Sequence, residues 1–119
     1  MKKIILNINN KKIPATLNDT VAAKDFETRL PFTVQGHDSG IDYCCVAKEG
    51  KYDSNERQTG WKNGDINLAG GWFALLYGGE EQSMDYEDLM IIGRVDNLED
   101  LLNLPEFIEI TVTDENKEF

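Results

Sequence analysis

From Gly64 to Tyr77 the chain reads Gly-Asp-Ile-Asn-Leu-Ala-Gly-Gly-Trp-Phe-Ala-Leu-Leu-Tyr, two apolar runs broken by a glycine pair. Runs of this length around Gly70-Gly71 are strands joined by a tight hairpin or bent at a bulge. After an acidic segment, Leu89 to Val95 reads as a further strand that runs straight into a leucine-rich helix. Asp96 or Asn97 caps that helix, which continues through Leu104 until Pro105 stops it. Such segments build a small closed barrel and name no reaction.

The remaining segments agree with a barrel. Ile4, Leu6 and Ile8 alternate with polar residues, Asn9-Asn10-Lys11 turns, and Ile13, Ala15 and Leu17 resume the alternation, which is a β-hairpin pattern. Asn18, Asp19 and Thr20 are candidate caps for a helix whose apolar face is Val21, Ala22, Phe26 and Leu30, ending before Pro31. Phe32–Val34 is a short strand, residues 36–40 a turn, and Ile41–Ala47 a strand. Lys48–Asn63 is the longest irregular stretch, and segments of that length are usually functional. Ile108, Ile110 and Val112 form a last strand, followed by a polar tail from Asp114 to Phe119 that is expected to fray. The fold class is therefore mainly β: an antiparallel barrel of about eight strands with a helix over each open end. Two helices so far apart exclude βαβ winding.

A chain of 119 residues is read as one domain over 1–119. Its net charge of −10 repels phosphate backbones and anionic headgroups, so neither nucleic acid nor membrane is an expected partner. No stretch approaches a transmembrane length, and Met1-Lys2-Lys3 leads into strand-like alternation rather than a signal-peptide core. The expected location is the cytoplasm, although a chain trimmed of an export signal would read the same. Cys44 and Cys45 are adjacent, point to opposite faces of a strand and fit neither a disulfide framework nor a metal signature.

In this order and spacing the segments resemble the bacterial and archaeal cyclophilin-like domain, a small barrel related in fold to the cyclophilin prolyl isomerases. The resemblance rests on Ala15-Thr16-Leu17, the helix Ala22 to Leu30 with its Leu30-Pro31 close, Gly64-Asp65-Ile66, Leu75-Leu76-Tyr77 and Ile92-Gly93-Arg94-Val95-Asp96, spanning roughly residues 4 to 112. It implies a fold, since members of this family mostly have no assigned activity. The isomerases carry an aromatic-His-Arg run on an early strand and a Gln-Phe-Phe run after a glycine-rich segment. Here the first position reads Ile41-Asp42-Tyr43-Cys44-Cys45-Val46 without arginine, and the second reads Gly71-Trp72-Phe73 with glycine in place of glutamine. Of the three arginines, only Arg57, in the long loop, is placed to reach a groove.

Other chemistry reads weakly. His37, the single histidine, invites a Cys-His reading with the nearby thiols, but nothing marks an oxyanion hole. Glu80, Glu81, Asp85, Glu87 and Asp88 fit no calcium-loop spacing and are expected to be a solvated acidic loop. No metal and no cofactor is expected. Alternation sends Trp72 and Phe73 to opposite faces, so one of them must lie outside the core. The expected binding surface is bounded by Tyr43, Tyr52, Trp61, Trp72 and Phe73, with Arg57 and His37 as polar contacts. Trp61 is expected to anchor the long loop there. The leading functional expectation is a non-catalytic module for a peptide or small organic ligand, as a monomer or weak homodimer. The rivals are a divergent prolyl isomerase and a structural or assembly domain.

Overall fold

The barrel closes where its backbones come closest. In the computed structural model, which describes residues 1–117, eight antiparallel strands follow one another around a closed barrel. They are β1 (Lys2–Ile8), β2 (Lys11–Leu17), β3 (Phe32–Asp38), β4 (Asp42–Val46), β5 (Asp65–Ala69), β6 (Trp72–Leu76), β7 (Ile91–Val95) and β8 (Phe107–Asp114), in the spatial order β1-β2-β7-β5-β6-β4-β3-β8. Five seams are ordinary ladders or hairpins. Three are matched over only three residue pairs each: β2 with β7 (Ala15–Leu17 with Gly93–Val95), β3 with β4 (Gly36–Asp38 with Tyr43–Cys45), and β5 with β7, which shifts register between Ile66 and Asn67.

Each short seam carries a glycine for a steric reason. A Cβ on Gly93 would fall 2.9 Å from the Leu17 Cα and closer still to the Thr16 carbonyl oxygen. One on Gly36 would fall 2.9 Å from the Cys44 carbonyl carbon and collide with the Cys45 thiol. Real side chains do not approach backbone so closely, so these two positions set how tightly the barrel can curl.

Eight strands enclose a space that side chains just fill. Ile4, Leu6, Ile8, Ile13, Leu17, Ile66, Leu68, Phe73, Leu75 and Ile92 point inward and are fully buried. One helix, α1 (Val21–Glu27), is capped by the Thr20 hydroxyl on the Ala23 N–H at 3.1 Å and drives Phe26 into one barrel end. There the Phe26 ring meets Phe32 at 4.9 Å and Phe73 at 5.7 Å. Arg29 lies over Phe26 and Phe32 and donates to the Lys48 carbonyl at 2.7 Å, tying the start of the long loop to the helix end.

The expected second helix is only a single 3₁₀ turn, Leu98–Leu101, with the expected Asn97 cap. Pro105 disfavours helical backbone at Leu104, so one turn is all the sequence allows. It still covers the opposite barrel end, burying Leu101. Two further expectations are corrected. Residues 36–38 are strand rather than turn, because both β4 and β8 offer them partners. Asp114 belongs to β8, paired with Lys2 at 2.7 Å, and Glu115–Lys117 is a 3₁₀ turn. The rest of the expected tail, residues 118 and 119, lies outside the described residues. No helix of the described residues is long and apolar enough to cross a membrane.

Gly93→Ala is expected to force the β2–β7 seam apart and cost about 1–3 kcal/mol in denaturant unfolding. Val46→Ala, at an exposed strand position, is expected to stay within about 0.5 kcal/mol of the parent. Equal stability of the two variants would contradict the close-approach account of the seam.

Candidate functional site

With the barrel interior filled, the concave surfaces lie outside it. On the outer face of β4, β6 and β5, strand alternation presents three rows of side chains. Asp42 stands opposite Leu76, Cys44 opposite Ala74 and then Asn67, and Val46 opposite Trp72 and then Ala69. His37 on β3 extends the middle row, directly opposite Cys44.

Two segments cross this face as a strap. Gln58 and Leu89 exchange backbone hydrogen bonds of 2.9 and 3.0 Å, and the Gly60 N–H donates to the Tyr86 carbonyl at 3.0 Å. Trp61 fastens the strap to the barrel. Its backbone N–H donates to the Ser83 hydroxyl at 3.0 Å, that hydroxyl donates back to the Trp61 carbonyl, and the indole Nε1 donates to the Gly78 carbonyl at 2.9 Å. The ring packs with Leu76, Ile91 and Leu89 in a cluster separate from the barrel core, and meets Tyr86 at 5.3 Å.

Between strap and strands runs a groove of about 220 Å³, lined by Ile41, Asp42, Cys44, Trp61, Asn67, Trp72, Ala74, Leu76, Tyr86 and Leu89. Its polar groups are few. Asn67, in the lining, accepts from the Met90 N–H at 2.8 Å through Oδ1. Asp42 accepts a short hydrogen bond from the Ser39 hydroxyl through Oδ1, and among the described residues none donates to its Oδ2. Burial pushes the Asp42 carboxyl above the ordinary carboxylate range; the Ser39 bond and His37 oppose the rise, and Asp38 adds to it.

The expected site residues divide. Trp72, 46% exposed at one rim, Trp61 and, at the border, His37 are brought to this face. Tyr43 and Phe73 correct the expectation that they share it, because their strand phase turns them into the barrel. Tyr43 instead donates to the Leu104 carbonyl at 3.0 Å. Tyr52 and Arg57 do not line the groove: the guanidinium sits 4.7 Å from the Tyr52 ring, donates to its hydroxyl and lies 3.9 Å from Asp88. Cys44, Ala74, Leu76 and Tyr86 were not anticipated.

The thiols are poorly placed for nucleophilic work. Burial, then the Asp42 charge, pushes Cys44 up, and burial pushes Cys45 to about 12, so neither is activated as a thiolate. A second hollow, about 520 Å³ over Thr16, Asp65, Gly93 and Arg94, is larger than the groove. It carries no aromatic side chain. Most of its polar groups are also already engaged, Asp96 with Lys3 and Thr16, Arg94 with the Asn63 carbonyl, and Asn18 with the Ile91 carbonyl, while Asp65 accepts from the Lys62 N–H at 2.9 Å through one oxygen. Chemistry therefore favours the smaller groove over the larger volume.

Trp61→Ala is expected to free the strap while leaving the barrel folded, seen as rapid proteolytic cleavage in 58–63 with an intact cooperative transition. Loss of that transition would place Trp61 in the main core. Asp42 yields a second expectation through linkage. A carboxyl raised in the folded state favours folding only while protonated, and that contribution is lost as pH rises from the ordinary aspartate range through the raised value. Asp42→Asn is therefore expected to raise Tm at pH 7, with the gain shrinking as pH falls into that range. A lower Tm at pH 7 would contradict this.

Residues 6–113 match the model described as the Cyclophilin-like family. No curated protein matches the chain. Among solved structures, the chain is similar to a hypothetical protein from Archaeoglobus fulgidus known from a solution structure. The TM-score is 0.67 with 16% sequence identity, covering 95% of this chain and 94% of that one. An identity that low speaks for the fold alone.

Proposed function

The chain belongs to the cyclophilin-like family, and we propose that it acts as a non-catalytic binding module that takes an apolar peptide side chain or a small organic molecule into the outer groove. The observation that carries this reading is the arrangement of Trp61, Trp72 and Tyr86 around a floor of Cys44, Ala74 and Leu76. Small-molecule sites are concave, mostly apolar and furnished with a few orienting polar groups, which here are Asn67 and Asp42. At about 220 Å³ the groove is smaller than the roughly 300–1,000 Å³ of drug-sized sites, so its occupant is one side chain or a compact molecule.

A non-catalytic role is supported by what the groove residues are. None is an arginine, and Arg57 is held by Tyr52 and Asp88. The raised thiols likewise offer no nucleophile.

In ¹⁵N NMR titrations, capped tripeptides with a central apolar residue are expected to shift the Trp72 and Trp61 indole resonances. Trp72→Ala should weaken that binding about ten-fold, equivalent to about 1.4 kcal/mol. In a protease-coupled assay of a proline peptide, no acceleration over the spontaneous rate is expected. Acceleration that disappears in Arg57→Ala would replace the binding module with a divergent prolyl isomerase.

A further inference from the structure

We propose that the occupant of the groove is a small organic cation, an ammonium on a compact apolar body, with its charge at Asp42 and its body lying over Ala74 toward Trp72. The inference rests on the groove being the binding site and adds the charge of what it takes.

Among the lining residues Asp42 is the one that carries charge, and no lysine or arginine lines the groove. The Asp42 carboxyl, at the end of an apolar trough, is bonded through Oδ1 to Ser39 and has no donor to Oδ2 among the described residues. An ammonium supplies both the donor and the opposite charge, and charge-assisted hydrogen bonds are about twice as strong as neutral ones. Ile41, Leu76 and Trp61 flank that end and remove water from around the pair. The faces of Trp61, Tyr86 and Trp72 attract cations through their ring quadrupoles.

The surroundings have the same sign. Asp38 adds negative charge beside Asp42, and Glu49 holds the Gly70 N–H at 2.7 Å in the hairpin next to Trp72. His37 is the one group that opposes them at Asp42. A net charge of −10 steers cations toward the whole molecule and repels anions. Asp42 pairs with Leu76, four residues from Trp72, so about 13 Å of strand separates the charged end from the aromatic rim, and a compact body held at Asp42 lies over Ala74 between them.

The test is a ¹⁵N NMR titration with three probes of one shape and different charge, 2-phenylethylamine, 2-phenylethanol and 3-phenylpropionate, at two salt concentrations. The expected result is that the amine binds about five-fold or more tightly than the alcohol, with the carboxylate weakest. Asp42→Asn should abolish the preference for the amine and leave the alcohol's affinity in place, while Trp72→Ala should weaken amine and alcohol alike. Equal binding of amine and alcohol would overturn the charge assignment and leave the groove as a neutral site. A preference that survives Asp42→Asn would trace to the field of the whole protein and overturn the role of Asp42. Tighter binding of a capped Ala-Lys-Ala tripeptide than of the amine would replace the small molecule with a peptide ammonium. Absence of groove shifts with every probe would overturn the groove itself.

Discussion

The close approach of backbones at Gly36 and Gly93 is the constraint on which the rest of the molecule depends. A side chain at either position would strike a neighbouring strand, and two of the shortest seams of the barrel, β2–β7 and β3–β4, would open. Closing them fixes the curvature, and the curvature fixes how much space the inward side chains must fill. Phe26, Phe73 and the aliphatic residues of all the long strands fill it. With the interior filled, the groove and the larger hollow both lie on the outer surface.

Strand phase then does the sorting. Along β6, Phe73 and Leu75 go inward to the core, while Trp72, Ala74 and Leu76 go outward and become the rim and floor of the groove. β4 divides in the same way, with Tyr43 and Cys45 inside and Asp42 and Cys44 outside. The β4–β6 pair thus supplies both barrel core and groove floor, and the strap held by Trp61 and Ser83 turns that outer face from a flat sheet into a trough. The half-buried Asp42 carboxyl is raised above the ordinary carboxylate range by that burial.

Most of the fold was legible because period-two alternation is strong in β1, β2 and β8 and the glycine pair marks the β5–β6 hairpin. The split between Trp72 and Phe73 was legible for the same reason. β3 was legible only in its first half, since Gln35-Gly36-His37-Asp38 has no apolar rhythm and is strand only because partners flank it on both sides. Tyr43 was assigned to the wrong face because Asp42-Cys44-Val46 and Tyr43-Cys45 differ too little in polarity to reveal phase. Tyr86 and Ser83 stayed hidden because their role comes from the strap, a pairing between distant irregular segments that leaves no local pattern. Arg57 and Tyr52 sit in the expected loop, yet they satisfy each other rather than the groove.

On the proposed reading, ligands occupy the outer groove between Asp42 and Trp72 rather than the larger hollow over Gly93 and Arg94 or the barrel. The most direct measurement is a crystal structure of the protein soaked in a mixture of small neutral and cationic aromatic fragments. Fragment density is expected over Ala74, in contact with Trp72 and Tyr86, with any ammonium turned toward Asp42. Density confined to the hollow beside Arg94, with the groove left to solvent, would contradict it.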